Sequence, residues 1–202
     1  ADVVELVHGT TVATNAIIER RGVRSALVTT AGFRDVLELG RFRSPRLYDP
    51  AFRKPEPLVE RRLRFEVAER TDAQGNILQA LDEAELAGIA AAIEREQVQA
   101  VALCFLNAHA NPANEQAAAR SLAQRLPQVS ISASTQLVPQ IGEYERTSTT
   151  VVNAYVAPLI ATYLDRLREG LGRCGVAAPI LVMQSNGGLI SAGLAAERPV
   201  TI

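Results

Sequence analysis

With 202 residues, of which 48% are hydrophobic, the chain is long enough to bury one large core or two smaller ones. Its 21 basic and 22 acidic residues leave a formal net charge of -1, without a basic block of five or more, which argues against nucleic acid as a partner. The uncharged run from Thr147 to Leu164 is interrupted by Asn153 and Pro158, so we expect it to lie buried in protein and not in a membrane.

The first segment with the character of a binding site joins a strand to a helix. Val3–Val7 is apolar and predicts a strand, and Val12–Arg21 predicts a helix that stops at Gly22. Between them, His8–Thr11 supplies a glycine and two hydroxyls, with Thr10 as the expected N-cap. An anion fits there because backbone N–H groups meet the positive end of the helix dipole. The alternative is a plain helix cap that binds nothing.

A second strand, Ser25–Thr29, follows directly. Strand, helix and strand together match the length of one βαβ unit, for which a right-handed crossover is expected. A short helix should begin near Gly32 and end near Gly40. Arg41–Pro57 contains four prolines and no sustained period, which predicts a long loop and a candidate lid.

The next region predicts a hairpin followed by a helix. Alternation in Leu63–Val67 indicates a half-buried antiparallel strand, Asp72–Asn76 the turn, and Ile77–Leu78 the return strand. The helix should begin at Asp82, with Glu85 completing a capping box. Its predicted buried face consists of Leu86, Ile89, Ala90 and Ile93.

A second α/β repeat is predicted over residues 82–133. Val98–Leu106 is nearly all apolar, as in a strand buried on both faces of a parallel sheet, and Pro112 should occupy the first position of the next helix. Val129–Ile131 predicts the following strand. Cys104 is expected in the core. Cys174 lies too far along the chain to suggest a disulfide framework or a metal spacing, which favours a reducing, cytoplasmic compartment.

The helix predicted after Gly142 carries a polar stripe. Its members, at positions i, i+3, i+4 and i+7, are Arg146, Thr149, Thr150 and Asn153. The stripe lacks the Lys and Glu of ordinary solvated faces, so it lines either a polar cleft or a polar interface with another domain. The guanidinium of Arg146 suits a phosphate or carboxylate, and Arg146→Ala should lower turnover far more than thermal stability. Pro158 should bend or restart the helix.

A third polar strand end closes the chain. Ile180–Met183 predicts a strand that runs into Gln184–Gly188. Its two adjacent glycines allow positive φ and close approach of a ligand. The alternative is a plain hairpin turn before Leu189.

Three stretches, in this order, resemble the hydantoinase A and 5-oxoprolinase family: HGTTVATNAIIERRG with TTAGFRDVLELGR after it, then EYERTSTTVVNAYVAP, then MQSNGGLIS. The resemblance covers essentially the whole chain. It implies an α/β fold with mixed, largely parallel sheets and one antiparallel hairpin, part of an actin/sugar-kinase-like ATPase fold. It also implies an ATP-dependent enzyme that uses Mg and hydrolyses cyclic amides such as 5-oxoproline or N-methylhydantoin. Related members carboxylate ketones, and in both reactions ATP is expected to phosphorylate a carbonyl or enolate oxygen before a B-type subunit completes the chemistry.

The same resemblance implies a domain division and a partial chain. Residues 1–134 correspond to the family's N-terminal region and residues 135–202 to the start of its ATPase core. The family's glycine-rich Asp-Val-Gly-Gly-Thr type phosphate motif is expected before this chain, and its Ser-Gly-Pro-Ala type phosphate motif is expected after it. The isolated chain is therefore expected to be inactive. No metal site is expected from its own residues.

Carried over residue by residue, the resemblance implies a candidate site. The expected catalytic residues are Thr10, Thr11 and Arg146. The expected substrate- or phosphate-binding residues are His8, Gly9, Asn15, Thr149, Asn153, Ser185, Asn186, Gly187 and Gly188. Three hypotheses stay open: a cyclic amide hydrolase, the ATPase subunit of a ketone carboxylase, and, for the isolated chain, a non-catalytic docking module for the B component.

Overall fold

A computed structural model describes residues 3–41, 48–49 and 51–202. The strands are Leu6–His8 (β1), Ser25–Thr30 (β2), Arg64–Val67 (β3), Arg70–Thr71 (β4), Ile77–Gln79 (β5), Ala100–Cys104 (β6), Ser130–Ala133 (β7), Ile180–Met183 (β8) and Leu189–Ser191 (β9). The helices are Val12–Ile18 (α1), Val36–Leu39 (α2), Glu83–Arg95 (α3), Ala113–Arg125 (α4), Ser134–Leu137 (α5), Glu143–Arg173 (α6) and Ala192–Glu197 (α7), with 3₁₀ turns at Arg61–Leu63 and Pro199–Thr201.

The chain divides into two compact units. We call Arg24–Val151 the β2 unit, and Ala1–Val23 with Val152–Ile202 the β1 unit. The predicted mixed α/β class with largely parallel sheets is confirmed. Antiparallel pairing occurs at β4–β5, around the predicted Asp72–Asn76 turn, and a second time at β8–β9.

The β2 unit is built on a parallel sheet of order β3-β2-β6-β7. Every residue of its two central strands, β2 and β6, is buried, which explains the continuous apolar run predicted around β6. Helix α3 buries the four residues predicted for its apolar face. Each fully buried Leu or Ile side chain, such as Leu86 or Ile93, contributes about 1.5–3 kcal/mol of hydrophobic stabilisation.

β3 is the strand predicted over Leu63–Val67, but its predicted antiparallel pairing is wrong. β3 runs parallel to β2, with Arg64 opposite Leu27, and Arg64 is only 3% exposed. The Arg64 guanidinium donates from Nε to the Val59 carbonyl at 3.0 Å and from Nη2 to the Glu38 carboxylate at 3.2 Å. A buried arginine with partners thus occupies a position where the alternation indicated a solvated residue.

The start of α3 is only partly as predicted. Asp82 is the N-cap, and its carboxylate accepts from the backbone N–H groups of Ala84 and Glu85 at 3.0 and 2.9 Å. The reciprocal bond of a capping box is replaced, because the Glu85 carboxylate accepts from the Ala68 N–H at 2.6 Å. The side chain of Glu85 therefore ties the segment after β3 to the helix.

The β1 unit contains a sheet of order β1-β8-β9, in which β1 and β8 are parallel. The predicted βαβ unit of β1, α1 and β2 is therefore wrong, since β1 and β2 belong to different sheets. α1 ends at Ile18 and not at Arg21. Arg20 adopts a left-handed φ of 54° and the Arg21 N–H donates to the Ala16 carbonyl at 2.8 Å, a Schellman-type end.

Helix α6 runs without interruption through Pro158, so the helix does not restart there.

The predicted Arg41–Pro57 loop can be compared only in part, because residues 42–47 and 50 lie outside the described residues. Residues 48–49 and 51–57 form neither helix nor strand. Within the described ranges, no helix combines the length and the apolar character needed to cross a membrane.

Candidate functional site

Two of the three predicted strand ends lie at one edge of the β1-unit sheet. Parallel pairing places Leu6 opposite Ile180 and His8 opposite Val182. The segments that follow, Gly9–Thr11 after β1 and Gln184–Gly188 after β8, therefore leave the sheet at the same, carboxyl edge. In open sheets with parallel strands, this is the edge where ligands bind.

The β1–α1 junction keeps two threonine hydroxyls accessible to a ligand. Thr11, not Thr10 as predicted, is the N-cap by backbone geometry, and its side chain makes no capping bond. Thr10 Oγ1 instead accepts from the Val12 N–H at 3.2 Å, and Thr11 Oγ1 accepts from Asn15 Nδ2 at 3.4 Å. Each hydroxyl is thus held as an acceptor, which leaves its own proton for another oxygen. Gly9 is exposed, with open space where a side chain would stand.

The turn between β8 and β9 is a tight hairpin, the alternative left open by the sequence. Gln184 N–H donates to the Gly188 carbonyl at 2.8 Å, and Gly187 adopts the expected positive φ, 86°. The Asn186 side chain accepts from the Gly188 N–H at 2.9 Å, and the Ser185 N–H donates to the Thr201 carbonyl at 3.1 Å. Ser185 and Asn186 are exposed at the tip of this turn.

His8, the last residue of β1, has a partner that the sequence analysis did not identify. Its Nε2 lies 2.7 Å from the Tyr163 hydroxyl on α6, and the two ring centroids are 5.7 Å apart. Tyr163 lies 155 positions further along the chain, so no local pattern connects the two. The signal available in the sequence was Tyr163 itself, an aromatic residue with a hydroxyl in helical phase with Leu159, Leu167 and Leu171.

The polar stripe of α6 is buried. Arg146 is 1% exposed, and Thr150 and Asn153 are fully buried; Thr149 is half-buried. Arg146 Nη2 donates to the Phe105 carbonyl at 2.5 Å, while its Nε and Nη1 have no hydrogen-bond partner among the described residues. Arg146 borders a cavity of about 10 Å³, roughly the volume that one water molecule needs.

Asn153, in the β1 unit, holds the chain after α7. Its Nδ2 donates to the Glu197 carbonyl at 3.0 Å, and its Oδ1 accepts from the Val200 N–H at 3.3 Å. In the β2 unit, the Thr150 hydroxyl donates to the Arg146 carbonyl one turn earlier at 2.7 Å. These bonds give Thr150 and Asn153 protein partners and therefore a structural role that requires no ligand.

The sequence analysis also did not identify a buried polar cluster around Glu69 and Glu115, at the carboxyl ends of β2 and β6. Glu69 accepts from Asn114 Nδ2 at 2.8 Å; Glu115 accepts from the Phe105 N–H at 2.8 Å and from the Ser134 hydroxyl at 2.8 Å. Both carboxylates are almost completely buried. Because their oxygens are occupied by protein donors, the cluster orders the strand ends and offers little to a ligand.

The described part of the chain shows no candidate metal-binding site. No group of three or more His, Cys, Asp or Glu residues there is arranged to hold a metal ion. The candidate site is therefore a neutral edge of hydroxyl, amide and backbone N–H groups, with one imidazole.

By its fold, the protein belongs to the α/β class, and its candidate ligand site lies where the two parallel strands β1 and β8 end. The particular family follows from comparison with known sequences. The hydantoinase/oxoprolinase N-terminal region matches residues 1–126, and the hydantoinase/oxoprolinase model matches residues 146–202. The chain belongs to the hydantoinase/oxoprolinase family.

Individual relatives include ATP-dependent enzymes. The chain is 39% identical to caprolactamase subunit alpha of Pseudomonas jessenii, covering 96% of this chain and 28% of that subunit. It is 29% identical to the acetophenone carboxylase gamma subunit of Aromatoleum aromaticum, covering 90% and 26%. The crystal structure of the ATP-dependent caprolactamase from Pseudomonas jessenii superposes with a TM-score of 0.88 at 35% identity, covering 97% of this chain and 30% of that one. The chain thus spans less than a third of the length of these relatives.

Proposed function

We propose that the chain is part of an ATP-dependent cyclic amide hydrolase of the 5-oxoprolinase or N-methylhydantoinase type, in which ATP activates the carbonyl oxygen. The observation that carries the proposal is the 39% identity, over 96% of this chain, to the alpha subunit of an enzyme named for a cyclic amide. The actin/sugar-kinase-like ATPase fold and the division at residues 134 and 135 belong to the same proposal.

The edge of the β1 unit suits phosphoryl and carbonyl oxygens. Such oxygens need N–H and O–H donors, and the Thr10 and Thr11 hydroxyls each retain a proton to donate. Gly9 allows a ligand to approach the backbone closely, and Ser185 and Asn186 are exposed on the neighbouring turn. When bound, ATP supplies the phosphoryl group that turns the carbonyl oxygen into a leaving group. The residues of this chain position the reactants and stabilise negative charge on their oxygens.

Two parts of the sequence-based site do not enter this mechanism. Arg146 and Asn153 are buried and bonded to backbone groups, so we assign them positioning roles within their units. Mg, implied by the family resemblance together with ATP, has no ligand cluster in the described part of the chain, and we derive no step through it. We also propose a hydantoinase B type subunit as the partner and, from the two free cysteines, a cytoplasmic location.

A ketone carboxylase is the second candidate. It is favoured by the 29% identity to the acetophenone carboxylase gamma subunit. The two reactions share activation of an oxygen by ATP and differ in the second reactant, which is water for the hydrolase and bicarbonate for the carboxylase. The neutral donors described above serve either oxygen.

Phosphate release tests the proposal directly. The full-length polypeptide that carries this chain, with its B-type partner and MgATP, should release phosphate faster when 5-oxoproline, caprolactam or a hydantoin is added. Replacing Thr10 and Thr11 by Val should lower this rate by about 100-fold or more, while Thr162→Ala, an exposed threonine of α6, serves as the matched control. Stimulation only by a ketone with bicarbonate would establish the carboxylase. Stimulation by none of them would favour a docking module for the B component.

A further inference from the structure

The pairing of His8 with Tyr163 defines which ring nitrogen is left for a ligand. His8 Nε2 and the Tyr163 hydroxyl are 2.7 Å apart, and both residues are half-buried. His8 Nδ1 makes no hydrogen bond to another described residue. His8 is the last residue of β1 and directly precedes the Gly9–Thr11 segment, so the residue lies at the same carboxyl edge of the sheet as Thr10 and Thr11.

The direction of this hydrogen bond follows from the acidity of the two groups. A phenol is a stronger acid than the N–H of a neutral imidazole, and the unprotonated imidazole nitrogen is a stronger acceptor than a phenolic oxygen. The favoured arrangement therefore has Tyr163 donating to Nε2. A neutral imidazole carries one proton, so that proton must then sit on Nδ1.

We propose that Tyr163 is a positioning residue that holds His8 in its Nδ1–H tautomer, so that His8 presents a neutral N–H donor to an oxygen of the bound ligand. A neutral imidazole donor stabilises developing negative charge without a full positive charge that would bind the ground-state anion equally well. The identity of that oxygen, phosphoryl or carbonyl, rests on the proposed function; the tautomer does not.

Ring-¹⁵N NMR reads the tautomer directly. This chain contains two histidines, His8 and His109, and a His8→Asn variant identifies the ring signals of His8 among those of the full-length protein. At about pH 8, His8 should carry its proton on Nδ1. Tyr163→Phe should move the proton towards Nε2, whereas Tyr48→Phe, at a tyrosine that is 98% exposed, should leave the His8 spectrum unchanged. An Nε2–H form in the unmodified protein, or a tautomer unaffected by Tyr163→Phe, would overturn the proposal.

Activity separates positioning from a purely structural tie between β1 and α6. In the full-length enzyme, Tyr163→Phe should lower kcat for substrate-stimulated phosphate release by about 10- to 100-fold, with a smaller change in KM. His8→Asn, whose amide N–H replaces Nδ1–H, should retain more activity than His8→Gln, whose amide replaces Nε2. Equal loss in both variants, or a Tyr163→Phe enzyme with unchanged kcat, would contradict the positioning role. Absence of stimulated phosphate release in the unmodified enzyme would instead refute the proposed function and leave the tautomer to be judged by NMR alone.

Discussion

The burial of the Arg146 guanidinium supports a different prediction from the one drawn from its place in the polar stripe. A ligand-contacting arginine on a polar stripe should tolerate truncation without loss of stability. The structure instead encloses Arg146 at 1% exposure, with one bond to the Phe105 carbonyl and two nitrogens without partners among the described residues. We therefore expect its replacement to affect folding, by an amount that depends on the volume of the new side chain.

Two substitutions separate volume from charge. Arg146→Met keeps most of the side-chain volume. It loses a charge-assisted hydrogen bond, which contributes about 1.5–3 kcal/mol to stability. This loss is offset because the methionine does not bury the two nitrogens, Nε and Nη1, that have no partners in the arginine. Arg146→Ala removes the volume as well, and a buried Met-to-Ala truncation costs about 2–5 kcal/mol. The free energy of unfolding of Arg146→Ala should therefore be about 2–5 kcal/mol lower than that of Arg146→Met.

Urea unfolding measures this difference. The control is Thr149→Ala, at a half-buried position on the same helix, whose free energy of unfolding should lie within about 0.5 kcal/mol of that of the unmodified protein. In the full-length enzyme, Arg146→Met should keep turnover within about tenfold of the unmodified rate. A correctly folded Arg146→Met enzyme that has lost about 100-fold or more in turnover would refute the structural role and restore Arg146 as a ligand contact. Equal stability of the two variants would refute the packing argument.

Two further predictions concern glycines and cysteines. A side chain at Gly22 would overlap the Tyr155 ring, so Gly22→Ala should lower the free energy of unfolding by about 1–3 kcal/mol. Gly88 faces open space within α3, so Gly88→Ala should raise the free energy of unfolding by about 0.5–1 kcal/mol. Urea unfolding measures both changes, and equal effects would contradict the packing at Gly22. Burial raises the pKa of the Cys104 thiol, whereas Cys174 is exposed. At a pH near 8, iodoacetamide should therefore label Cys174 in the folded protein and Cys104 only after unfolding, which peptide mass spectrometry measures. Rapid labelling of Cys104 in the folded protein would contradict its burial.

Local patterns predicted the features that depend on one element. The helical spacing of Leu86 and Ile93 identified the buried face of α3, and the apolar run around Val101 identified the central strand β6. Pairing across the chain could not be predicted in this way. Leu6 meets Ile180 only because distant segments fold together, and nothing in the β1 sequence indicates that its partner is β8 and not a strand beside β2.

The candidate site shows the same division between local and long-range information. The junction at Gly9 and the turn at Gly187 were recognisable as strand ends, and the positive φ of Gly187 was expected. The stripe around Thr150 was correctly identified as unlike a solvated face, but hydroxyls and amides also suit an interior where backbone groups need partners. The role of Tyr163 depends on a contact over 155 positions, which sequence spacing does not reveal.

Hydrogen exchange tests the location of the ligand edge most directly. The full-length enzyme should be compared with and without a non-hydrolysable MgATP analogue and a lactam, and peptides covering residues 8–15 and 184–188 should be followed. Exchange should be slower in both peptides when the ligands are bound, with little change in the peptide around Gly88 on α3. Unchanged exchange in both peptides, with protection elsewhere in the enzyme, would contradict the assignment of this edge as the ligand site.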